Sequence, residues 1–144
     1  MANAKITALA AAAENYIHVI PKNRRSEWTF MPFCLWQYRC GDYDAAAQAC
    51  QRDLVQSRKF PACDAMVHAT LAMCDYQQGR SDDACAELTQ ARQLVEDKFK
   101  GGLDRGQAGL GFWFDWVYAR HLVQEASVMI DCDSDQSGPS DAKP

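Results

Sequence analysis

Two stretches decide how this chain is read: "CGDYDAAAQAC" at residues 40–50 and "QGRSDDACAEL" at 78–88. Each opens on a glycine, runs through turn-prone polar residues, and reaches an alanine five positions after the glycine at the head of an amphipathic run. Glycine suits the left-handed residue that closes a helix, and the small alanine suits a place where two helices cross closely. Aligned on Gly41 and Gly79 the stretches are 38 residues apart, a period typical of stacked helical hairpins.

The flanking periodicity is helical throughout. Ile6, Leu9, Ala10, Ala13, Ile17 and Ile20 recur at three- and four-residue spacing, predicting a helix over 4–20 that Pro21 stops. A second helix is expected from Thr29, as N-cap, to Arg39, which keeps Pro32 in the tolerated first turn. Three more are predicted over 43–57, 64–78 and 82–98, the last capped by Ser81 and carrying a stripe of Ala84, Leu88, Ala91 and Leu94. "FKGGLDRGQAG" at 99–109 holds four glycines and reads as a loop, and a final helix follows over 110–130. No segment alternates with period two, so the fold class is all-α. The expected organisation is an N-terminal helix and connector (1–27), two hairpins (28–98), a glycine-rich loop with an aromatic-rich helix (99–130), and an acidic disordered tail (131–144).

In the second copy, Leu71, Ala72, Tyr76, Gly79, Ala84, Leu88 and Ala91 fall at the spacing of small and large packing residues that resembles the tetratricopeptide repeat. Phe33, Cys34, Tyr38, Gly41, Ala46 and Cys50 match in the first copy, where Asp53 replaces the last alanine and Cys50 is smaller than the usual large residue, so that the second helix of this pair is expected to pack loosely or face water. Pro61 stands a few residues late for that family's terminal proline. The closing segment, with Trp113, Asp115, Trp116, Arg120, Glu125 and Ala126, is similar to tetratricopeptide-like regions behind bacterial serine/threonine protein kinases. No kinase glycine loop, catalytic lysine or H-R-D segment accompanies it.

The resemblance implies a superhelix of two hairpins with flanking helices, and a partner-binding groove lined by the first helix of each hairpin. Those positions are Trp28, Met31, Leu35, Tyr38 and Arg39, then Met66, Ala69, Met73, Tyr76 and Gln77. This lining is apolar and methionine-rich, which suits a peptide or amphipathic helix. Arg39 alone offers a cation for a peptide carboxylate. The competing expectation is that the helix over 4–20 or the final helix fills the groove. The final helix carries apolar residues on more than one face, so it is either buried or uses its spare face for a homodimer; burial is favoured.

Charge and chemistry exclude more than they suggest. The net charge is −4, and the last fourteen residues hold four aspartates against one lysine, leaving −1 on the body. That is unsuited to nucleic acid. The basic "PKNRR" at 21–25 reads as a solvated connector, and the apolar run near the start is too short for a membrane span. Seven cysteines without a C-x-x-C pair are read as reduced and, at Cys34, Cys50, Cys74 and Cys85, as core or near-core residues of a cytoplasmic protein. Asp64 with His68, and His121 with Glu125, have one-turn spacing but lack a third metal ligand. The D-x-D-x-D run at 131–135 lacks the glycine and glutamate of a calcium loop. Cys63 near a helix start, with His68 beyond it, is the best-placed nucleophile. No catalytic residue, cofactor or metal is assigned. A non-catalytic protein-interaction module is expected, the alternative being a small-molecule-binding helical domain or an enzyme with an unrecognised site.

Overall fold

The computed structural model describes residues 30–56, 60–101 and 112–130, with single positions at 8, 11, 12, 15 and 19. Those five, Ala8, Ala11, Ala12, Asn15 and Val19, are helical and exposed. The remainder of the N-terminal helix, the connector with Trp28, the glycine-rich run 102–111 and the acidic tail lie outside the described residues. The rest is all helix: α1 (Met31–Arg39), α2 (Tyr43–Gln56), α3 (Pro61–Gln77), α4 (Ser81–Lys100) and α5 (Trp113–Met129). No strand occurs among the described residues.

The two hairpin turns are built identically. Gly41 (φ 83°) and Gly79 (φ 76°) are left-handed. The Gly41 N–H donates to Tyr38 O and the Gly79 N–H to Tyr76 O, each at 3.0 Å. The next residues complete the Schellman pattern: Asp42 N–H donates to Gln37 O at 3.1 Å and Arg80 N–H to Asp75 O at 2.9 Å. A side chain other than glycine is strained in this region, so the glycines set where each hairpin folds back.

Helix starts differ from expectation by a few residues. Phe30, not Thr29, is the N-cap of α1, with Pro32 in the first turn. Pro61 opens α3 rather than ending a repeat, since a first-turn proline forfeits no helical hydrogen bond. Ser81 is the first residue of α4, and Arg80 is its N-cap without a side-chain hydrogen bond. Asp42 caps α2, its Oδ1 accepting from Ala45 N–H at 3.1 Å.

α3 is the hub and packs against all four other helices, whereas α1 and α5 stand on either side of it and meet only through side chains. Equivalent positions of the two hairpins are buried alike: Ala46 and Ala84, Cys50 and Leu88, Asp53 and Ala91 are all fully enclosed. The departures at Cys50 and Asp53 therefore do not turn α2 toward water. On α4 the stripe is Ala84, Leu88, Ala91 and Val95, with Leu94 only partly buried. Enclosing Leu88 contributes about 1.5–3 kcal/mol from apolar burial.

Candidate functional site

α1, α3 and α5 run in the same direction. Met31 and Pro32, Met66, and Phe114 and Asp115 meet toward one end; Tyr38 and Arg39, Gln77, and Glu125 and Met129 meet toward the other. Between α1 and α5 lies a cleft of about 800 Å³. Met31 and Met66, nearly enclosed themselves, form its floor. Leu35 and Trp36 supply the α1 wall, and Phe114, Tyr118 and Leu122 the α5 wall. Pro32, Asp115 and His121 also line it.

A polar latch spans α1 and α5. Arg39 grips Glu125 with both guanidinium nitrogens, Nη2 lying 2.7 Å from Oε2. The carboxylate of Glu125 holds the guanidinium more firmly protonated than usual. Beside it, the Tyr38 hydroxyl and Gln77 Nε2 each donate to Met129 Sδ at 3.7 Å. Burial pushes the Tyr38 phenol above its ordinary value, so it remains a donor at neutral pH. At the other end Asp115 is committed to helix capping, its Oδ2 accepting from Phe112 N–H at 2.8 Å.

The residues expected to line a groove therefore separate. Met31, Leu35, Arg39 and Met66 line the cleft. Tyr38 is buried under Met129, Met73 and Ala69 are fully enclosed, and Gln77 contacts Met129. Tyr76 is 42% exposed but lines no part of the cleft, and Trp28 lies outside the described residues. The α5 wall was missed by spacing within the hairpins, although the aromatic richness of that helix signalled an unusual surface. α5 closes one end and forms a wall instead of filling the whole groove.

Of the six residues that carry the resemblance of the closing segment, five have a structural task, and Trp113 is exposed. Trp116 and Ala126 are core, Asp115 caps, and Glu125 is latched to Arg39. Arg120 sits over the Phe99 ring, 4.8 Å from its centroid.

The expected reactive groups read differently in three dimensions. Cys63 is fully enclosed in the core, so it lacks the access a nucleophile needs. Cys34, Cys50 and Cys74 are buried and free. A hydrogen bond with Cys34, then burial, push the Cys50 thiol far up, and burial raises Cys74 to about 12. Both are inert at neutral pH. Cys85 is instead disulfide-bonded, which overturns its reading as a reduced residue, although it is partly buried against the core as expected of a near-core position. His68 Nδ1 lies 2.6 Å from Glu87 Oε2 on α4, so its partner comes from the neighbouring helix. Among the described residues no group of three or more His, Cys, Asp or Glu could hold a metal ion, and no helix is long and apolar enough to cross a membrane.

No family model, curated protein or solved structure matches the chain.

Proposed function

We propose that this chain is a tetratricopeptide-like, non-catalytic interaction module that binds an apolar peptide or amphipathic helix in the cleft between α1 and α5. The observation that carries the reading is the cleft itself: an apolar-walled trough built from three parallel helices, with a methionine floor that adapts to different side chains. Its charged groups are already engaged, Arg39 with Glu125 and Asp115 with a helix N-terminus, which favours binding by shape and burial over reactive chemistry. The identical hairpin turns and the matched burial of Ala46 with Ala84 support the repeat reading.

A volume of about 800 Å³ also falls within the range of small-molecule sites, so a small apolar ligand is the second reading. The disulfide at Cys85 counts against the cytoplasmic location expected from the cysteines, because disulfides persist mainly in oxidising compartments. One experiment separates the binding readings. A panel of leucine- and phenylalanine-bearing amphipathic helical peptides, and a small apolar fluorophore, are titrated against the protein and against Leu35→Glu and Tyr118→Glu. Saturable peptide binding weakened at least about tenfold in both variants supports the proposal. Fluorophore binding without peptide binding favours the small-ligand reading, and peptide affinity unchanged in both variants removes the cleft as the site.

A further inference from the structure

The chain has seven cysteines. Cys34, Cys40, Cys50, Cys63 and Cys74 are free, and Cys85 is disulfide-bonded. That leaves one sulfur in the chain to partner Cys85, the sulfur of Cys132, which stands outside the described residues.

The packing of the described helices leads both positions to one place. α4 turns back on α3 at Gly79 and so runs antiparallel to α5. Arg92 Nε donates to Ser127 Oγ at 3.1 Å, which sets the register between these two helices. Cys85 lies seven residues before Arg92, about 10 Å back along α4. α5 ends at Met129, and Ile130 after it is buried and extended, with φ −110° and ψ 103°. Five residues forward from Ser127, part at helical and part at extended rise, also span about 10 Å. Antiparallel helices match a step back on one to a step forward on the other, so Cys132 falls opposite Cys85.

We propose that Cys85 and Cys132 form a clip that fastens the end of α5 to the head of α4, and that thiol–disulfide exchange at this clip governs the closed end of the cleft. The second half of the proposal rests on the binding reading above. The hold that the clip reinforces is weak. Arg39 and Glu125 pair in contact with solvent, where an ion pair contributes little. Met129 Sδ is a poor acceptor for the Tyr38 hydroxyl and Gln77 Nε2. Once unclipped, the last turn of α5 frays as helix ends do, Tyr38 is uncovered, and the trough lengthens from Leu35 toward Gln77.

Cys85 is partly exposed, so a reductant reaches it. A dithiol supplies the two electrons required. One of its thiolates attacks a bridge sulfur, its second displaces the mixed disulfide, and its two protons pass to the sulfurs of Cys85 and Cys132 as it closes into its own disulfide.

Two measurements on the full chain test the proposal. Trypsin acting on thiol-blocked, unreduced protein releases 81–92 and 121–144, each with a single cysteine. These are expected as one crosslinked species that separates on reduction. Amide hydrogen exchange in the last turn of α5 is expected to quicken at least about tenfold with dithiothreitol and in Cys132→Ser. It stays unchanged in Cys40→Ser, which removes an exposed free thiol. Cys85 joined to any other peptide, or last-turn exchange indifferent to reduction, overturns the proposal. Neither measurement involves a cleft ligand, so the clip and the binding reading fail separately.

Discussion

Replacing Gly79 by alanine removes the freedom that the second hairpin turn depends on. Nothing lies within 4 Å of a Cβ built there, so the change meets no steric wall, and the cost is conformational alone. Holding alanine at a φ of 76° costs about 1–2 kcal/mol. Restricting the unfolded chain returns about 0.4–1 kcal/mol. The expected net loss is about 1 kcal/mol, read in urea as a midpoint lowered by about 0.5 M if m is about 2 kcal/mol/M. Gly41→Ala, with a φ of 83° and the same empty surroundings, should lose as much within about 0.5 kcal/mol. Gly79→Asn should lose less, because asparagine tolerates the left-handed region. Gly101 supplies the control: its φ is −79° and an added Cβ would sit 3.6 Å from Lys98 O, an ordinary contact. Gly101→Ala should therefore gain about 0.4–1 kcal/mol. A Gly79→Ala variant as stable as wild type, or a gap between the two hairpin glycines above about 1 kcal/mol, would refute the equivalence of the turns.

Two further outcomes follow from buried groups. Burial raises the Asp75 carboxyl above its ordinary value while Arg80 pulls it down, so the folded chain holds that proton more tightly than the unfolded chain. Protonation then adds stability as pH falls through the raised folded value, a gain complete below about 3.9 and absent at neutral pH. The stability of wild type relative to Asp75→Asn, measured by urea unfolding between about pH 7 and pH 4, should shift in favour of wild type as pH falls; a flat difference contradicts the burial of this carboxyl. Of the seven cysteines, five are free among the described residues and Cys85 is bridged. Denatured protein purified without reductant should thus react with five equivalents of a thiol reagent and with seven after reduction, and seven before reduction would disprove the bridge.

Spacing was a better guide to the hairpins than residue identity. Gly41 and Gly79 fixed the turns because only a left-handed residue completes the Schellman bonds. Asp53 suggested a solvent-facing α2, yet the position is fully enclosed, as is Ala91 at the matching place. Position in the repeat decides burial here, and the carboxylate follows it. Pro61 misled for a related reason: proline stops one helix and starts another with equal ease, and sequence alone does not say which. The bridge at Cys85 and the His68–Glu87 contact depend on approaches between elements, to which helical periodicity is blind.

The cleft was half legible for the same reason. Leu35 and Met66 emerge from the period of α1 and α3, but the opposite wall comes from α5, and Arg39 meets Glu125 across 86 residues of chain. Only the path of α5 along α3 divides the expected lining into an open part at Met31, Leu35 and Met66 and a closed part at Tyr38, sealed by Met129. The excess of apolar residues on α5 has the same origin. A helix that supplies core on one face and a cleft wall on its edge needs more than one apolar stripe, which accounts for Phe114, Tyr118 and Leu122. It does not account for Trp113 and Val128, which serve neither core nor cleft.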